Sequence, residues 1–472
     1  MEKFFKVKEH GSTVKTEVLA GITTFMAMAY ILMVNANMFS NPTGTGEEVL
    51  GVSYGAIYIA TALSAVIGTV LIAFLANLPL AMASGMGLNA FFVYTVCLAF
   101  NLSYANALVL VLFDGIVFVI LTVTGIRAKL FNAIPDCVRM AITAGIGLFI
   151  AFIGLQDAKL IVLDPSTKVA LTSFNLFNGT ATWATVMPCL VTIAALMIIA
   201  VLSARKVKGS VLYGILGGTA LYYVLGFTVN GFYDTFAEKF SFNPFTAFSD
   251  WGTQAFGAVF KNGFDFSHYV EGHSNVELVI LIVTTALAFC LVDMFDTLGT
   301  LYGACSRGNM LTEDGQVPNF EKAMLSDAVG TICGAVCGTS TVTTFVESTA
   351  GVAEGGRTGL SSLVTGGLFF IAMFLSPVAA LIPTAATSAA LIYVGVLMMG
   401  GVVNIEWNDP AVAVPSFLTV AMMPFTYNIS FGIAFGLISF IFIKLFTGKV
   451  KEIKPFTWVI GILFAVMFFV TH

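Results

Sequence analysis

Residues 278–302 read LVILIVTTALAFCLVDMFDTLGTLY, an apolar run long enough to cross the hydrocarbon core of a bilayer as a helix. Asp293 and Asp296 lie within this run, which contains no basic residue. A carboxylate in the bilayer core costs roughly 2.5–3.5 kcal/mol on insertion scales, so intramembrane acids commonly mark a substrate or ion site. The stretch predicts a membrane helix facing a polar site, which is typical of a transporter.

The composition of the whole chain agrees with a membrane protein. Of its 472 residues 58% are hydrophobic and only 10% are charged, whereas soluble domains carry about 25% charged residues. Apolar runs recur from end to end, so we expect a polytopic, all-α integral membrane protein in a lipid bilayer. No basic-aromatic patch indicates nucleic-acid binding, and the first sixteen residues lack the pattern of a cleaved signal peptide.

Cysteine and histidine usage argues against a metal site. The seven cysteines fall in or beside apolar segments with no CxxC pair, and the four histidines lie outside them. We therefore expect no metal and no cofactor.

Fourteen apolar segments divide into two sets of seven around a polar stretch. An odd number of crossings in the first set would invert the second, so the pattern predicts a 7+7 inverted repeat. The predicted units are a cytoplasmic N-terminal lead (1–16), two seven-helix repeats (17–227 and 277–447), an extracellular loop (228–276) and a C-terminal part (448–472). Whether the extra apolar stretch 455–471 crosses the membrane or lies in the interface is left open.

Lysine and arginine positions predict the orientation, because cytoplasmic loops are enriched in both. With the N-terminus in the cytoplasm, only Lys159, Lys168, Lys239 and Lys261 face outward. The inner ends then hold the other seventeen: Lys3, Lys6, Lys8, Lys15, Arg127, Lys129, Arg139, Arg205, Lys206, Lys208, Arg307, Lys322, Arg357, Lys444, Lys449, Lys451 and Lys454.

Segments three and ten are both short and irregular. They read LANLPLAMASGMGLNAFF (75–92) and CGTSTVTTFVESTAGVAEGG (337–356). Interrupted segments in matching positions of inverted halves indicate a transport site near the bilayer midplane. The β-branched run that includes Thr344 and ends at Phe345 favours an extended strand before a small-residue helix. Extended chain is allowed at this depth only where it is buried in protein or lines a cavity.

The polar residues of these segments supply candidate ligands. Glu347 can accept two hydrogen bonds from N–H groups of a planar ligand, although a helix N-terminal role is the alternative. Asn89 offers a donor and an acceptor, or it caps a helix. Thr344 is a candidate to bind the ligand through its hydroxyl. Phe91 or Phe345 can stack on a ring, although both also suit packing. Glu354 and Arg357, near the cytoplasmic end, suggest a salt bridge or gate.

The unpaired acids also suggest a coupling ion. Asp293, Asp296 and Glu347 have no basic residue in their own spans, and burial without a cation favours the protonated form of a carboxyl group. These three residues are therefore candidates for proton coupling, with sodium as the competing ion. Asp114 and Asp327 also lie in apolar segments, where they serve either a cation path or hydrogen bonding between helices.

Four motifs resemble a known family. TTFMAMAYI (23–31), GMGLNAFF (85–92), LVDMFDTLGTLYG (291–303) and TVTTFVESTAGVAEGGRTGL (341–360) are similar to those of the adenine/guanine/hypoxanthine permeases of the nucleobase–cation symporter-2 superfamily. The resemblance implies a fold like that of the bacterial uracil transporter, with strand-plus-helix units in segments three and ten. It also implies a core domain (17–124 and 277–376) and a gate domain (135–227 and 378–447).

The same resemblance implies a function and a site. Family members are proton-driven purine importers of the cell membrane, often homodimeric. By the resemblance the base-binding acids fall on Asp296 and Glu347, and the polar residue of segment three falls on Asn89. An anion carrier of the related fold is disfavoured by the unpaired acids. An intramembrane enzyme with an aspartate-bound Mg²⁺ is disfavoured because DMFD (293–296) has no second Asp-rich motif.

Overall fold

The structure, a computed structural model, describes residues 2–43, 47–124, 134–177, 179–229, 243–313 and 315–470. The first half contains α1 (Val14–Met28), α2 (Tyr30–Ser40), α3 (Tyr54–Leu75), β1 (Met82–Ser84), α4 (Met86–Ala90) with a π-helix (Phe91–Ala99), α5 (Tyr104–Thr124), α6 (Asp136–Asp157), β2 (Ile161–Asp164), β3 (Lys168–Leu171), α7 (Trp183–Ala204) and α8 (Ser210–Gly226).

The second half begins with short helices outside the long spans. They are α9 (Pro244–Asp250), a π-helix (Trp251–Ala255), α10 (Ala258–Lys261) and α11 (Ser267–Val270). The chain continues through α12 (Asn275–Arg307), α13 (Phe320–Cys337), β4 (Val342–Thr344), α14 (Ser348–Ala353), α15 (Gly359–Ala372), α16 (Ser376–Ala379), α17 (Thr384–Met398), α18 (Pro410–Thr426), α19 (Ile429–Phe446) and α20 (Pro455–Val470). Three 3₁₀ turns complete it: Met373–Leu375, Met399–Asn404 and Val450–Glu452.

The long helices pack as two groups. The first group, called the core group here, consists of helices that contact one another around β1 and β4: α1, α2, α3, α5, α12, α13, α14 and α15. The second, called the gate group, consists of α6, α7, α8, α17, α18 and α19. The division into a core domain and a gate domain, with its predicted bounds, remains a prediction, as does their movement against each other.

An antiparallel pair of three-residue strands lies at the centre of the core group. Met82 pairs with Thr344, Ala83 with Thr343 and Ser84 with Val342, and all six residues are buried. Each strand is followed by a short helix, as the sequence predicts for segments three and ten. A chain that is extended at membrane depth must satisfy its backbone groups within the protein, and this pairing does so on the facing edges of the two strands. On the outer edges, threonine hydroxyls from neighbouring helices bond the backbone of Met82, Val342 and Thr344.

Two stretches outside the long helices contain elements that the sequence does not predict, and one of them departs from an all-α fold. Strands β2 and β3 form a hairpin between α6 and α7, in a stretch where the sequence predicts no element. The described part of the predicted 228–276 loop also contains the short helices α9 to α11. Both pieces are too short for the apolar periodicity that revealed the long helices.

Nine helical stretches of the described chain are long and apolar enough to cross a membrane, so the protein is a multi-pass membrane protein. Further apolar helices of the described chain are shorter, α8, α18 and α20 among them. Fourteen crossings and the inverted repeat remain predictions, as does the orientation. Of the charges that support the orientation, Arg127, Lys129 and Lys239 lie outside the described residues.

The terminal segments pack against the helices. Phe5 and Val7 of the predicted N-terminal lead are buried against Leu360. The lysines of this lead support the predicted orientation, but its packing against the helices was not predicted from the sequence. The C-terminal helix α20 contacts α19 and α12. Its buried stripe contains Ile460 and Phe464, and apolar residues cover the opposite, exposed face.

Glycines set the close contact between α6 and α17, which predicts a contrast between two substitutions. A Cβ on Gly395 would lie 2.4 Å from the carbonyl oxygen of Gly147, whereas a Cβ on Gly367 of α15 meets no atom within 4 Å. Gly395→Ala should therefore lower the free energy of unfolding by about 1–3 kcal/mol through overpacking. Gly367→Ala, the matched control, should be neutral or slightly stabilising because alanine favours helix. Thermal unfolding of the purified variants in detergent measures both, and equal melting temperatures would contradict this close helix contact.

Candidate functional site

Two acids and a phenol from three separate elements meet beside the strand pair. Glu347 follows β4 and directly precedes α14, and its Oε1 accepts a 2.6 Å hydrogen bond from the hydroxyl of Tyr30 on α2. Asp296 of α12 interacts electrostatically with both of these residues. Asp296 and Glu347 are partly exposed, although the residues on either side along α12 and β4 are mostly buried. The predicted pair of acids therefore lies together at an accessible site.

The strands fix this site by close contacts with α12. Thr297 and Thr343 share a 2.6 Å hydrogen bond between their hydroxyls, and the Thr300 hydroxyl donates to the Thr344 carbonyl at 3.3 Å. A Cβ on Gly85, at the end of β1, would lie 2.7 Å from the Thr343 methyl and 3.8 Å from an oxygen of Asp296. Glycine is therefore needed at position 85 for β1 to approach Thr343 so closely, and its position leaves an ordinary contact distance to Asp296.

Asn89 joins the two strand-plus-helix units. Its amide nitrogen donates to the Ser84 carbonyl at 3.3 Å, and its oxygen accepts a short hydrogen bond from the Ser340 hydroxyl. Ser84 in turn is hydrogen-bonded to the Thr339 hydroxyl at 2.7 Å. Asn89 is fully buried, and α4 begins after Gly85, so the interpretation of Asn89 as a helix cap is wrong.

A second set of acids lies inside the core group, away from the accessible pair. Asp114, Asp293 and Asp327 are fully buried, and Asp293 interacts electrostatically with the other two. Thr341 donates a hydrogen bond to Asp114 at 3.2 Å, and Thr331 donates one to Asp293 at 3.5 Å. The two acids of LVDMFDTLGTLYG thus have different environments although they are three residues apart.

The remaining ring and hydroxyl candidates are buried. Phe91 is fully buried, and its ring centroid lies 4.8 Å from that of Phe289. Phe345 is 6% exposed and Thr344 is 1% exposed, and the backbone N–H of Phe345 donates to the Ala81 carbonyl at 3.0 Å. These contacts place Phe91 in packing, and they place Thr344 and Phe345 in the extended segment that leads to the accessible acids.

The two predicted gate residues have different partners. Glu354 forms a 2.5 Å ion pair with Lys208, which precedes α8, so this contact joins the core group to the gate group. The Arg357 guanidinium instead donates to the backbone carbonyls of Val352 and Gly356, both at 2.7 Å. Arg357 therefore supports the turn after α14 and makes no ion pair within the described residues.

Buried Glu17 of α1 supports the same turn. It accepts hydrogen bonds from the backbone N–H of Arg357 at 3.0 Å and of Thr358 at 3.3 Å, and from the Ser361 hydroxyl at 2.5 Å. The carboxylate thus satisfies N–H groups at the start of α15, where a helix leaves donors unpaired.

Three of these participants were not predicted from the sequence. Tyr30 is part of the quoted motif TTFMAMAYI, and its only signal in the sequence is a polar hydroxyl inside an apolar span. Lys208 was used only as one of the basic residues that predict the membrane orientation, and nothing in the sequence pairs it with Glu354. Glu17 carried no signal, because an acid near the first turn of a helix is ordinary.

Comparison with known proteins agrees with this architecture. A model described as "Permease family" matches residues 15–435. The chain is 37% identical to the guanine/hypoxanthine permease PbuG of Bacillus subtilis over 99% of both chains. It is 35% identical to the adenine permease AdeP of Escherichia coli, over 98% of this chain and 95% of that one.

Solved structures agree at the level of the fold. The transmembrane domain of the cyanobacterial bicarbonate transporter BicA matches with a TM-score of 0.60 and 16% identity, over 88% of this chain and 96% of that one. The murine anion transporter Slc26a9 matches with a TM-score of 0.60 and 12% identity, over 92% and 68%. Given the extent of the sequence matches, this chain belongs to the permease family and is a transporter rather than an enzyme.

Proposed function

We propose that this protein imports a purine nucleobase (adenine, guanine or hypoxanthine) by proton symport with alternating access. The relatives named as guanine/hypoxanthine and adenine permeases support the substrate class. The observation that carries the proposal is the meeting of Glu347 and Asp296 at an accessible site between strand ends. The proposal includes a plasma-membrane location, a cytoplasmic N-terminus and a homodimer.

The chemistry of the site suits a flat heterocycle with N–H groups. An ionised carboxylate accepts a hydrogen bond from a ring N–H group or, where the purine has one, from its exocyclic amine. A protonated carboxyl group can instead donate a hydrogen bond to a ring nitrogen or a carbonyl oxygen of the base. Tyr30 occupies Oε1 of Glu347, which orients the carboxylate and leaves Oε2 for a ligand. Asn89 contributes by holding the two strand-plus-helix units at their meeting point.

The same acids make proton coupling the favoured mechanism. Asp296 and Glu347 interact electrostatically without a cation bonded to either in the described part of the chain, and two neighbouring carboxylates repel each other. A proton on one of them removes this repulsion and accompanies the base inward. Buried Asp293 is close enough to Asp296 to respond to its charge. Sodium remains the competing ion, because carboxylate oxygens also bind it.

An anion carrier is the alternative suggested by the fold. The solved relatives transport anions by their titles, but a likeness at 16% identity or less shows the fold alone. Two acids at the accessible site would repel an anionic substrate, so the geometry favours a neutral base.

Alternating access requires that contacts between the groups break and re-form. We propose that the Lys208–Glu354 ion pair is such a contact on the cytoplasmic side, closed in this structure. The side chains are 51% and 30% exposed, so the pair contributes at most about 1 kcal/mol. A contact of this strength can favour one state of the alternating-access equilibrium without preventing the transition to the other.

Substitution of the two acids is the first test. Glu347→Gln and Asp296→Asn should each reduce purine uptake at least tenfold, because a hydrogen bond to a charged group contributes about 1.5–3 kcal/mol. Tyr30→Phe, which removes only the hydroxyl, should reduce it by roughly three- to tenfold. Glu271→Gln, an exposed acid elsewhere, is the control. Uptake of labelled adenine, guanine and hypoxanthine is measured in cells that lack purine permeases, and normal transport by both acid variants would refute the site.

Ion replacement tests the coupling. In proteoliposomes, an inward pH gradient should drive accumulation of the purine, and a protonophore should abolish it. Uptake should rise as the outer pH falls, because protonation from outside loads the symported ion. Replacing sodium with choline should change nothing. Loss of uptake in choline, with no response to the pH gradient, would show sodium coupling instead.

A charge-reversal cycle tests the cytoplasmic contact. Lys208→Glu should change the uptake rate by about two- to fivefold, consistent with a contribution of at most about 1 kcal/mol, and Lys208→Glu with Glu354→Lys should restore it. Lys206→Glu reverses a charge two residues away in the same loop and serves as the control. If the effects of the two substitutions on the uptake rate simply add in the double variant, the ion pair is not a gate contact.

A further inference from the structure

A cavity of about 570 Å³ opens between the two helix groups at the end predicted to be extracellular. Asn37 and Tyr54 line it from the core group, and Asp157, Tyr222 and Tyr223 line it from the gate group. The two acids of the candidate site do not line it, so the cavity is separate from that site. Its volume suffices for a small planar molecule with accompanying water.

One helix face connects this cavity with the accessible acids. Asn37 follows Tyr30 by seven residues on α2, which places both side chains on the same face about 10 Å apart along the axis. Tyr30 bonds Glu347, and Asn37 lines the cavity. The cavity therefore lies on the outer side of the acids along the same helix.

Anchored aromatic rings form two of the cavity walls. The Tyr54 hydroxyl donates to the Ala379 carbonyl at 3.0 Å, and the Tyr223 hydroxyl donates to the Leu381 carbonyl at 2.6 Å. The rings of Tyr222 and Tyr223 meet edge to face at 5.6 Å. Since the two hydroxyls are bound to backbone, the rings are held in place and present apolar surface to a flat ligand.

A hydrogen-bond acceptor lies at the gate-side wall. Asp157, at the end of α6, lines the cavity and is half-buried. The hydroxyl of Tyr94, which is only 7% exposed and belongs to the π-helix Phe91–Ala99, interacts with the Asp157 carboxyl group. This contact orients the carboxylate, which can accept a hydrogen bond from an N–H group of a ligand in the cavity.

We propose that this cavity is a second, weaker binding site for the purine base, occupied before the base reaches Glu347 and Asp296. Asp157 accepts an N–H of the base, and Tyr222 packs against its ring. This inference rests on the proposed function, since it assigns the same substrate to a second position.

The experiment isolates the outer site by removing the inner one. Saturation-transfer NMR detects weak binding of hypoxanthine or adenine to purified Glu347→Gln protein in detergent. The signal should persist in this variant and fall at least fivefold when Asp157→Asn or Tyr222→Ala is added, consistent with the loss of about 1 kcal/mol or more. Adding Glu271→Gln, an exposed acid away from the cavity, should leave it unchanged. Size-exclusion profiles identify any variant that fails to fold.

Uptake kinetics give an independent readout. With Glu347 intact, Asp157→Asn should raise the KM for the purine about five- to tenfold and change the maximal rate less than twofold. If the wild-type protein takes up purine but the Glu347→Gln protein gives no NMR signal, the outer site is overturned and the proposed function stands. Absence of purine uptake by the wild-type protein would instead refute the proposed function. An unchanged KM in Asp157→Asn also overturns the outer site.

Discussion

Pairing of two short extended segments inside a helical membrane protein is the constraint on which the site depends. A strand at membrane depth exposes N–H and C=O groups that lipid cannot satisfy. The β1–β4 pair satisfies those on its facing edges, and two flanking bonds extend the pairing: Gly85 N–H to the Thr341 carbonyl and Phe345 N–H to the Ala81 carbonyl, both at 3.0 Å. Threonine hydroxyls from neighbouring helices bond the outer edges. Because the strands are antiparallel, the two short helices that follow them leave from opposite ends of the pair.

Small residues on two helices make room for this pair. A Cβ on Gly68 of α3 would lie 3.0 Å from one methyl of Val342, and a Cβ on Gly334 of α13 would lie 2.7 Å from the other. The valine therefore fits between two glycine surfaces. Without these contacts β4 would sit farther from α3 and α13, and Glu347, three residues beyond its end, would be displaced from Tyr30.

The sequence predicted the parts of this arrangement that depend on local composition. Apolar length identified the long helices, and the β-branched run before Glu347 predicted an extended segment, which β4 confirms. It did not predict the pairing register or the Tyr30–Glu347 bond, because both join residues far apart in the chain and depend on packing. The β2–β3 hairpin was missed since its strands are only four residues long and carry no membrane signal.

Unpaired acids in the apolar spans occupy two different environments in this protein. Asp114 and Asp293 are fully buried, and each accepts one hydrogen bond from a threonine hydroxyl near β4. The Oδ1 atom of each has no hydrogen-bond partner within the described residues. Asp296, one helical turn beyond Asp293, is partly exposed and interacts electrostatically with Glu347. The cost of a buried charge therefore points to the helix that carries the candidate site, whereas accessibility distinguishes Asp296 as the candidate ligand on it. This distinction is set by the strands, since they separate the interior of the core group from the accessible site.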